Sequence, residues 1–128
     1  MTYLLDTNAL IWGAIDYKKL GRKTLQILMT ERNVFFSSLS AAEINIKTAK
    51  KRTFTGQQVV EWAVSEGFQE LGFTSSHAEQ ISRFGSLAKH DPFDRMILAQ
   101  AAGDRLTLLT ADETLLGLSF DWVQDSRV

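Results

Sequence analysis

The sequence contains no cysteine and a single proline among its 128 residues. The absence of cysteine excludes disulfide bonds, zinc ribbons and thiol catalysis, and it fits a reducing compartment. No apolar stretch approaches the roughly 18 residues that span a bilayer, and the N-terminal segment reaches Asp6 without the basic region of a signal peptide. We therefore expect a cytoplasmic protein that makes no membrane contact.

The sequence also has little excess charge. Its 14 Lys and Arg residues oppose 15 Asp and Glu residues, which leaves a net charge of −1. A protein held to nucleic acid by bulk charge alone would be more basic, so any nucleic-acid contact must be local. The 45% share of hydrophobic residues is typical of a soluble protein with a core, and there is no internal repeat and no linker rich in Pro, Gly and Ser. This length predicts one domain over residues 1–128.

Short apolar runs bounded by polar residues predict the strands of a sheet. Strong runs occupy residues 3–5, 33–38, 106–110 and 120–123, and a weaker run at 69–73 suits an edge strand. Segments with helical spacing lie between these runs. Strands that alternate with helices predict an α/β domain with a central, mostly parallel sheet covered on both faces. In such folds the ligand site lies beyond the carboxyl ends of the strands.

Capping patterns predict where three of the helices begin. Thr-x-x-Gln at 55–58 and Ser-x-x-Glu at 76–79 have the form of capping boxes, and Gly67 is suited to end the first of these helices. Asp91 stands before Pro92, which favours the first position of a helix, and the residues that follow are apolar nearly all round. The helix after Pro92 is therefore expected to be buried.

Four acidic residues follow or flank the predicted strands: Asp6, Glu43, Asp94 and Asp112. Each has a structural explanation by itself, as a helix cap, a salt-bridge partner or a complement to a helix dipole. Together they would repel one another at one edge of the sheet unless a cation bound among them. Oxygen ligands alone favour Mg²⁺ or Mn²⁺, which can activate water and stabilise the leaving oxygen in phosphodiester hydrolysis.

Four segments resemble the acidic motifs of PIN-domain nucleases. They are Leu-Asp-Thr-Asn-Ala-Leu-Ile-Trp at 5–12, Ala-Glu-Ile-Asn-Ile-Lys at 42–47, His-Asp-Pro-Phe-Asp-Arg-Met-Ile-Leu-Ala-Gln-Ala at 90–101 and Leu-Leu-Thr-Ala-Asp at 108–112. Over its whole length the chain resembles the VapC-like toxins of bacterial type II toxin–antitoxin systems, in the branch that carries Asp-Pro-Phe-Asp-Arg. The last two motifs are the most specific.

This resemblance implies a three-layer α/β/α PIN-like domain that acts as a Mg²⁺- or Mn²⁺-dependent endoribonuclease. It implies Asp6 and Asp94 as the principal metal ligands, with Glu43 and Asp112 completing the site. It also implies a homodimer that is neutralised by a small antitoxin protein, which inserts a segment over the active site.

Further polar residues in the matching motifs are candidates for supporting roles. Thr7, Asn8 and Thr110 can hold waters or orient carboxylates. Asp91 is explained best as a helix cap, although a contact with metal or substrate is also open. Arg95 follows Asp94 directly and can pair with an acid or a phosphate.

The densest basic group consists of Lys47, Lys50, Lys51 and Arg52, just beyond Glu43. It is a candidate RNA-binding surface, although a solvated face or an antitoxin contact would explain it equally well. His90 is expected to be an ordinary surface histidine, although a supporting role at the acidic site is also open.

Other protein classes also gather acids at strand ends. A haloacid dehalogenase-type phosphatase needs a second Asp at the position of Asn8, and a receiver module needs paired acids after its first strand, where Thr7 follows Asp6. The alternative that stays open is a catalytically inactive PIN-like or receiver-like module that acts by binding protein partners.

Overall fold

The computed structural model describes residues 1–47 and 53–128 and has a five-stranded sheet at its centre. All pairings between neighbouring strands are parallel, and the order across the sheet is β3-β2-β1-β4-β5. The strands are β1 (Thr2–Leu5), β2 (Asn33–Ser37), β3 (Gln69–Leu71), β4 (Thr107–Thr110) and β5 (Val123–Asp125).

Helices cover both faces of this sheet, which confirms the predicted three-layer α/β/α architecture. They are α1 (Thr7–Ile15), α2 (Arg22–Thr30), α3 (Ser38–Lys47), α4 (Gly56–Ser65), α5 (Ser75–Gln80), α6 (Pro92–Asp104) and α7 (Glu113–Leu116), with short 3-10 helices at Tyr17–Lys19 and Ile81–Leu87. In the part of the chain that the structure describes, no helix is both long enough and apolar enough to cross a membrane.

The alternation of side chains along each strand divides the core into two clusters. Leu5 and Leu109 face the cluster formed with α1 to α4, whereas Leu4 and Leu108 face the cluster formed with α6, α7 and the 81–87 segment. All four leucines are fully or almost fully buried. Burial on both faces explains why the central strands are continuous apolar runs rather than alternating ones.

The predicted strands at 3–5, 33–38 and 106–110 are confirmed, and the weak candidate at 69–73 contributes the edge strand β3. The prediction of a strand over 120–123 is wrong, because β5 begins only at Val123. Phe120 and Trp122 stack on each other with ring centroids 4.9 Å apart, and both rings meet the edge of Phe84. These residues are apolar because they form an aromatic cluster beside the sheet.

Two of the three predicted helix starts are confirmed. Thr55 and Gln58 form both bonds of a capping box at α4, and Asp91 caps α6 with Pro92 in its first turn. The start at Ser76 is wrong by two residues, because Thr74 caps α5. The capping box of α5 uses a histidine ring in place of a carboxylate or amide, which the sequence pattern does not anticipate.

Candidate functional site

The four acidic residues meet at the carboxyl edge of the sheet. Asp6 directly follows β1, Glu43 lies in α3 after β2, Asp94 lies in the first turn of α6, and Asp112 follows β4. The charges of Asp94 and Glu43 both act on Asp6, and those of Asp112 and Glu43 act on Asp94. The structure therefore brings together the four carboxylates that the sequence singled out.

Asp6 is the most deeply buried of these acids, with 4% of its surface exposed. Its Oδ1 accepts a hydrogen bond from the backbone N–H of Ala9 at 2.8 Å, and its Oδ2 accepts one from the hydroxyl of Thr110 at 2.5 Å. Burial raises the pKa of Asp6 to about 7 against these two hydrogen bonds, and the neighbouring charges of Asp94 and Glu43 add to the rise. The carboxylate is thus held in place but disfavoured as an anion.

Thr110 connects two of the acids. Its Oγ1 donates to Asp6 and accepts from the backbone N–H of Asp112 at 3.0 Å. The hydroxyl is fully buried, so both of its bonds are shielded from water. Thr110 therefore sets the position of Asp6 relative to the loop that carries Asp112.

Glu43 is held from two sides and is 8% exposed. Its Oε1 accepts from the hydroxyl of Thr7 at 2.7 Å, and its Oε2 accepts from the ammonium of Lys47 at 2.9 Å. The hydroxyls of Thr7 and Ser40 lie 2.9 Å apart, which extends this network beyond the residues that the sequence identified. The helix face that carries Glu43 is not buried throughout, because Ile46, three residues further on, is 69% exposed.

Lys47 bridges Glu43 and Asp91 rather than projecting into solvent as a free cation. Asp91 uses its other oxygen, Oδ1, to cap α6 through the N–H of Phe93 at 2.9 Å. Although burial opposes both changes, the bond between the two side chains lowers the pKa of Asp91 and raises that of Lys47. Lys47 is one of the candidate RNA contacts in the basic group; the structure gives its ammonium two carboxylate partners.

The other members of that basic group, Lys50, Lys51 and Arg52, lie outside the described residues.

Asp94 and Asp112 face the same histidine. The Nε2 atom of His90 lies 3.2 Å from Oδ2 of Asp94 and 3.4 Å from Oδ2 of Asp112, and the ligand atoms of all three residues lie within 4.8 Å of one another. Asp112 commits its Oδ1 to capping α7 through the N–H of Leu115, so its Oδ2 is the oxygen turned to the cluster. Burial, together with the charges of Asp112 and Glu43, raises the pKa of Asp94 to about 6.

Sequence reasoning missed the position of His90. The structure places its side chain among the acids with only 24% of its surface exposed, not on an open surface. The available signal was its spacing, since a residue four positions before Asp94 and directly before the cap Asp91 can fold back over the first turn of α6. The residue type alone does not indicate that a histidine lies at such a site.

Among the described residues, two predicted supporting residues form no hydrogen bond or ion pair with the acids. Arg95 donates from Nη2 to the backbone oxygen of Ile81 at 3.1 Å, so it ties α6 to the 81–87 segment. Asn8 is exposed and lines a cavity of about 290 Å³ together with Trp12 and Lys19. Neither observation assigns a chemical role to these side chains.

The donor set at this edge fits a hard divalent cation. Burial and like charge both disfavour the ionised forms of Asp6 and Asp94, so the site must take up protons or a cation to relieve the repulsion. The carboxylate oxygens of Asp6, Glu43, Asp94 and Asp112 are the ligand type that Mg²⁺ and Mn²⁺ prefer.

Comparisons with known proteins bear on the family and the fold of this chain. A sequence model of the PIN domain matches residues 3–120. No curated protein matches the sequence.

Solved structures of low sequence identity share the fold. VapBC2 from Rickettsia felis, solved with a promoter DNA fragment, aligns at a TM-score of 0.72 and 17% identity over 97% of this chain and 96% of the other. A toxin–antitoxin complex from Klebsiella pneumoniae gives 0.63 and 22% over 96% and 99%. FitAcB from Neisseria gonorrhoeae gives 0.59 and 23% over 87% and 88%.

Proposed function

Because the chain belongs to the PIN domain family, we propose that it is a metal-dependent endoribonuclease and the toxin of a toxin–antitoxin pair. The observation that carries the proposal is the convergence of four carboxylates from four separate segments at the carboxyl edge of the sheet. Separate structural roles would explain the contacts of each acid. They would not explain why all four acids lie together at the carboxyl edge of the sheet.

The acids would share the work of holding Mg²⁺ or Mn²⁺. Asp6 and Asp94 are the proposed principal ligands, since they are the carboxyls whose ionised forms most need a cation. Glu43 and Asp112 complete the set. A bound ion would polarise the phosphodiester and lower the pKa of a coordinated water molecule, which supplies the nucleophile for hydrolysis.

Other residues position the acids for this chemistry. The hydroxyl of Thr110 fixes Oδ2 of Asp6, and the hydroxyl of Thr7 fixes Oε1 of Glu43. Hydrogen bonds of this kind hold ligands in orientation, and their loss commonly lowers metal affinity or activity by about 10- to 100-fold. Lys47, which pairs with Glu43 and Asp91, offsets part of the negative charge at the rim of the site.

RNA is the proposed substrate, on the resemblance of the four motifs to VapC-like toxins. With a net charge of −1, the protein must attract RNA locally, and Lys50, Lys51 and Arg52 are proposed contacts. The cavity beside Asn8 offers an aromatic ring and a cation next to the segment that carries Asp6.

An antitoxin protein is the proposed partner of a homodimeric toxin in the cytoplasm. The structural neighbours include complexes described as VapBC2 and as a toxin–antitoxin complex. This chain has a groove of about 550 Å³ between α1, α2 and α4, lined by both polar and apolar groups, which is the proposed contact for a segment of the partner. Its lining includes Leu25, Leu28, Met29, Trp62 and Phe68.

The test is cleavage of a mixed cellular RNA pool by purified protein freed of any partner, with Mg²⁺ or Mn²⁺ added. EDTA and the Asp94→Asn variant should each abolish cleavage, with a loss of at least about 100-fold because a ligand contributes more than the groups that orient it. Asp121→Asn is the matched control, since Asp121 is exposed and lies before β5 at the opposite edge of the sheet. A single-stranded DNA arm tests the preference for RNA.

Two results would overturn the proposal. Cleavage by Asp94→Asn at the wild-type rate would remove the assigned site. Intact RNA in every arm, with no effect of metal on the melting temperature of the wild type, would favour the inactive binding module.

A further inference from the structure

His90 lies between Asp94 and Asp112, within ion-pair distance of both carboxylates. Its Nε2 atom is buried, yet it has no hydrogen-bond partner among the described residues. The two carboxylate oxygens lie at 3.2 and 3.4 Å but do not have the directions that a hydrogen bond requires. A buried polar atom without a partner is rare and needs a reason.

We propose that His90 is a nitrogen ligand of the divalent ion, which makes the site a mixed nitrogen and oxygen site rather than one of four carboxylates. This inference rests on the metal site of the proposed function and adds to it a residue and a metal preference. Two neighbouring ligands of one octahedral ion with bonds of about 2.1 Å lie about 3 Å apart. The separations of His90 Nε2 from the two Oδ2 atoms are close to that value.

Local structure holds the ring in this place without metal. The backbone N–H of His90 donates to the carbonyl of Leu87 at 2.9 Å, which fixes the turn between the 81–87 segment and α6. Asp91 then caps α6, so the backbone on both sides of His90 is bonded. The imidazole reaches Asp94 one turn into the helix and Asp112 from the loop after β4.

A nitrogen donor changes which ion the site prefers. Carboxylate and water ligands suit Mg²⁺ and Mn²⁺ alike, whereas imidazole favours transition metals. His90 should therefore strengthen the binding of Mn²⁺ more than that of Mg²⁺. If His90 were only an ionic partner of Asp94 and Asp112, its imidazolium would compete with the metal ion. Removal of His90 would then strengthen metal binding.

The experiment measures metal binding directly, without RNA. Mn²⁺ is titrated into metal-free wild type, His90→Asn and Lys89→Gln, with free Mn²⁺ followed by its electron paramagnetic resonance signal and Mg²⁺ used as competitor. Lys89→Gln is the matched control, because it removes a positive charge from the exposed neighbour of His90 and no ligand atom. Circular dichroism and thermal melting check that each variant is folded.

We expect His90→Asn to weaken Mn²⁺ binding by at least about tenfold, which is the lower end of the effect seen for groups that only orient ligands. The loss of Mg²⁺ affinity should be smaller, and Lys89→Gln should bind both ions like the wild type. Electron spin-echo modulation of bound Mn²⁺ should show a coupled nitrogen in the wild type and none in His90→Asn.

Unchanged or tighter Mn²⁺ binding by His90→Asn, no nitrogen coupling in the wild type, or no Mn²⁺ binding at all would each overturn the inference. The first two outcomes are separate from failure of the proposed function, whereas the absence of Mn²⁺ binding would overturn both. If the wild type binds Mn²⁺ through a nitrogen but leaves RNA intact, the ribonuclease proposal is refuted and the assignment of His90 as a ligand stands. If it cleaves RNA without nitrogen coupling, the ribonuclease proposal stands and the assignment of His90 is refuted.

Discussion

The carboxyl group of Asp6 shows how a residue proposed to bind metal can lower the stability of the folded, metal-free protein. Its two hydrogen bonds fix its orientation, while burial and the charges of Asp94 and Glu43 disfavour its ionised form. A group whose pKa is raised in the folded state favours folding at low pH, and this contribution is lost as the pH rises through the folded pKa.

Replacement of Asp6 by Asn should therefore stabilise the metal-free protein at alkaline pH. The pKa of Asp6 is raised from 3.8 to about 7, so the wild type should lose stability between about pH 4 and 7 while Asp6→Asn loses less. At pH 8 the variant should be more stable by on the order of 4 kcal/mol. Denaturant unfolding in EDTA at pH 5 and pH 8 measures this difference, and Asp121→Asn should keep the slope of the wild type. Equal slopes in all three proteins would contradict the effect.

Thr110→Val should destabilise the protein and weaken metal binding, because it removes the hydrogen bonds that position Asp6. The change keeps the shape of the side chain but removes the hydroxyl that binds Oδ2 of Asp6 and the N–H of Asp112. A hydrogen bond to a charged group contributes about 1.5–3 kcal/mol, so we expect a loss of that size at pH 8 and a weaker metal-dependent rise in melting temperature. Thr107→Val, at the start of the same strand, is the control for loss of a threonine hydroxyl from β4. If both variants unfold alike, the role given to Thr110 is wrong.

Among the elements, α6 contributes most to the site, because its first turn carries Asp94 and its cap carries Asp91. The cap is a local interaction that the sequence pattern predicts, since Asp before Pro is a favoured helix start. Asp91 also receives the ammonium of Lys47, so α6 is linked to α3 across the site.

Two substitutions separate the cap from this link. Asp91→Asn keeps an oxygen that can accept from the N–H of Phe93 but loses the ion pair with Lys47, which is half exposed and contributes little. Asp91→Ala loses both. We expect a destabilisation of about 1 kcal/mol for Ala and less than half of that for Asn, measured by thermal unfolding. A loss in Asn as large as in Ala would show that the ion pair, and not the cap, stabilises the start of α6.

The elements also show what the sequence can and cannot predict. Buried parallel strands are continuous apolar runs, so β1, β2 and β4 are visible in the sequence, as are acids that follow them directly. The aromatic run at 120–123 satisfies the same pattern but packs on Phe84.

The fine structure of the site depends on side chains that meet only in three dimensions. The hydroxyls of Thr7 in α1 and Ser40 in α3 form a hydrogen bond. Lys47 pairs with Asp91, which lies 44 residues further along the chain. His90 turns back onto acids from two different segments. Apart from the four-residue spacing of His90 and Asp94, no spacing rule along the chain identifies these pairs, although the motif resemblance identifies the neighbourhood of each.

At the scale of the whole molecule, the acidic edge and the groove are built on different parts of the helical layer. The groove lies between α1, α2 and α4, and Met29 at its margin is 83% exposed. An exposed apolar surface beside such a groove is typical of a protein–protein contact.

Met29→Glu should therefore weaken binding of a partner protein while leaving RNA cleavage unchanged. The partner used is the protein encoded by the adjacent reading frame, co-expressed and purified with the tagged chain. A carboxylate buried without a partner is strongly unfavourable, so we expect at least about a tenfold loss of affinity. Val64→Glu is the control, because Val64 is 59% exposed on α4 but does not line the groove. Equal retention of the partner by both variants would place the contact elsewhere.

The position of β1 in the middle of the sheet governs when the site can form during synthesis. β1 is made first and can pair with β2 once residue 37 is available, but its other edge pairs with β4, which begins at Thr107. Asp6 receives its bond from Thr110 across 104 residues of sequence. Ribosomes add about 5–20 residues per second, so a nascent chain holds only part of the site for several seconds. A chain that is still attached to the ribosome therefore carries no complete acidic site until its last segments have emerged.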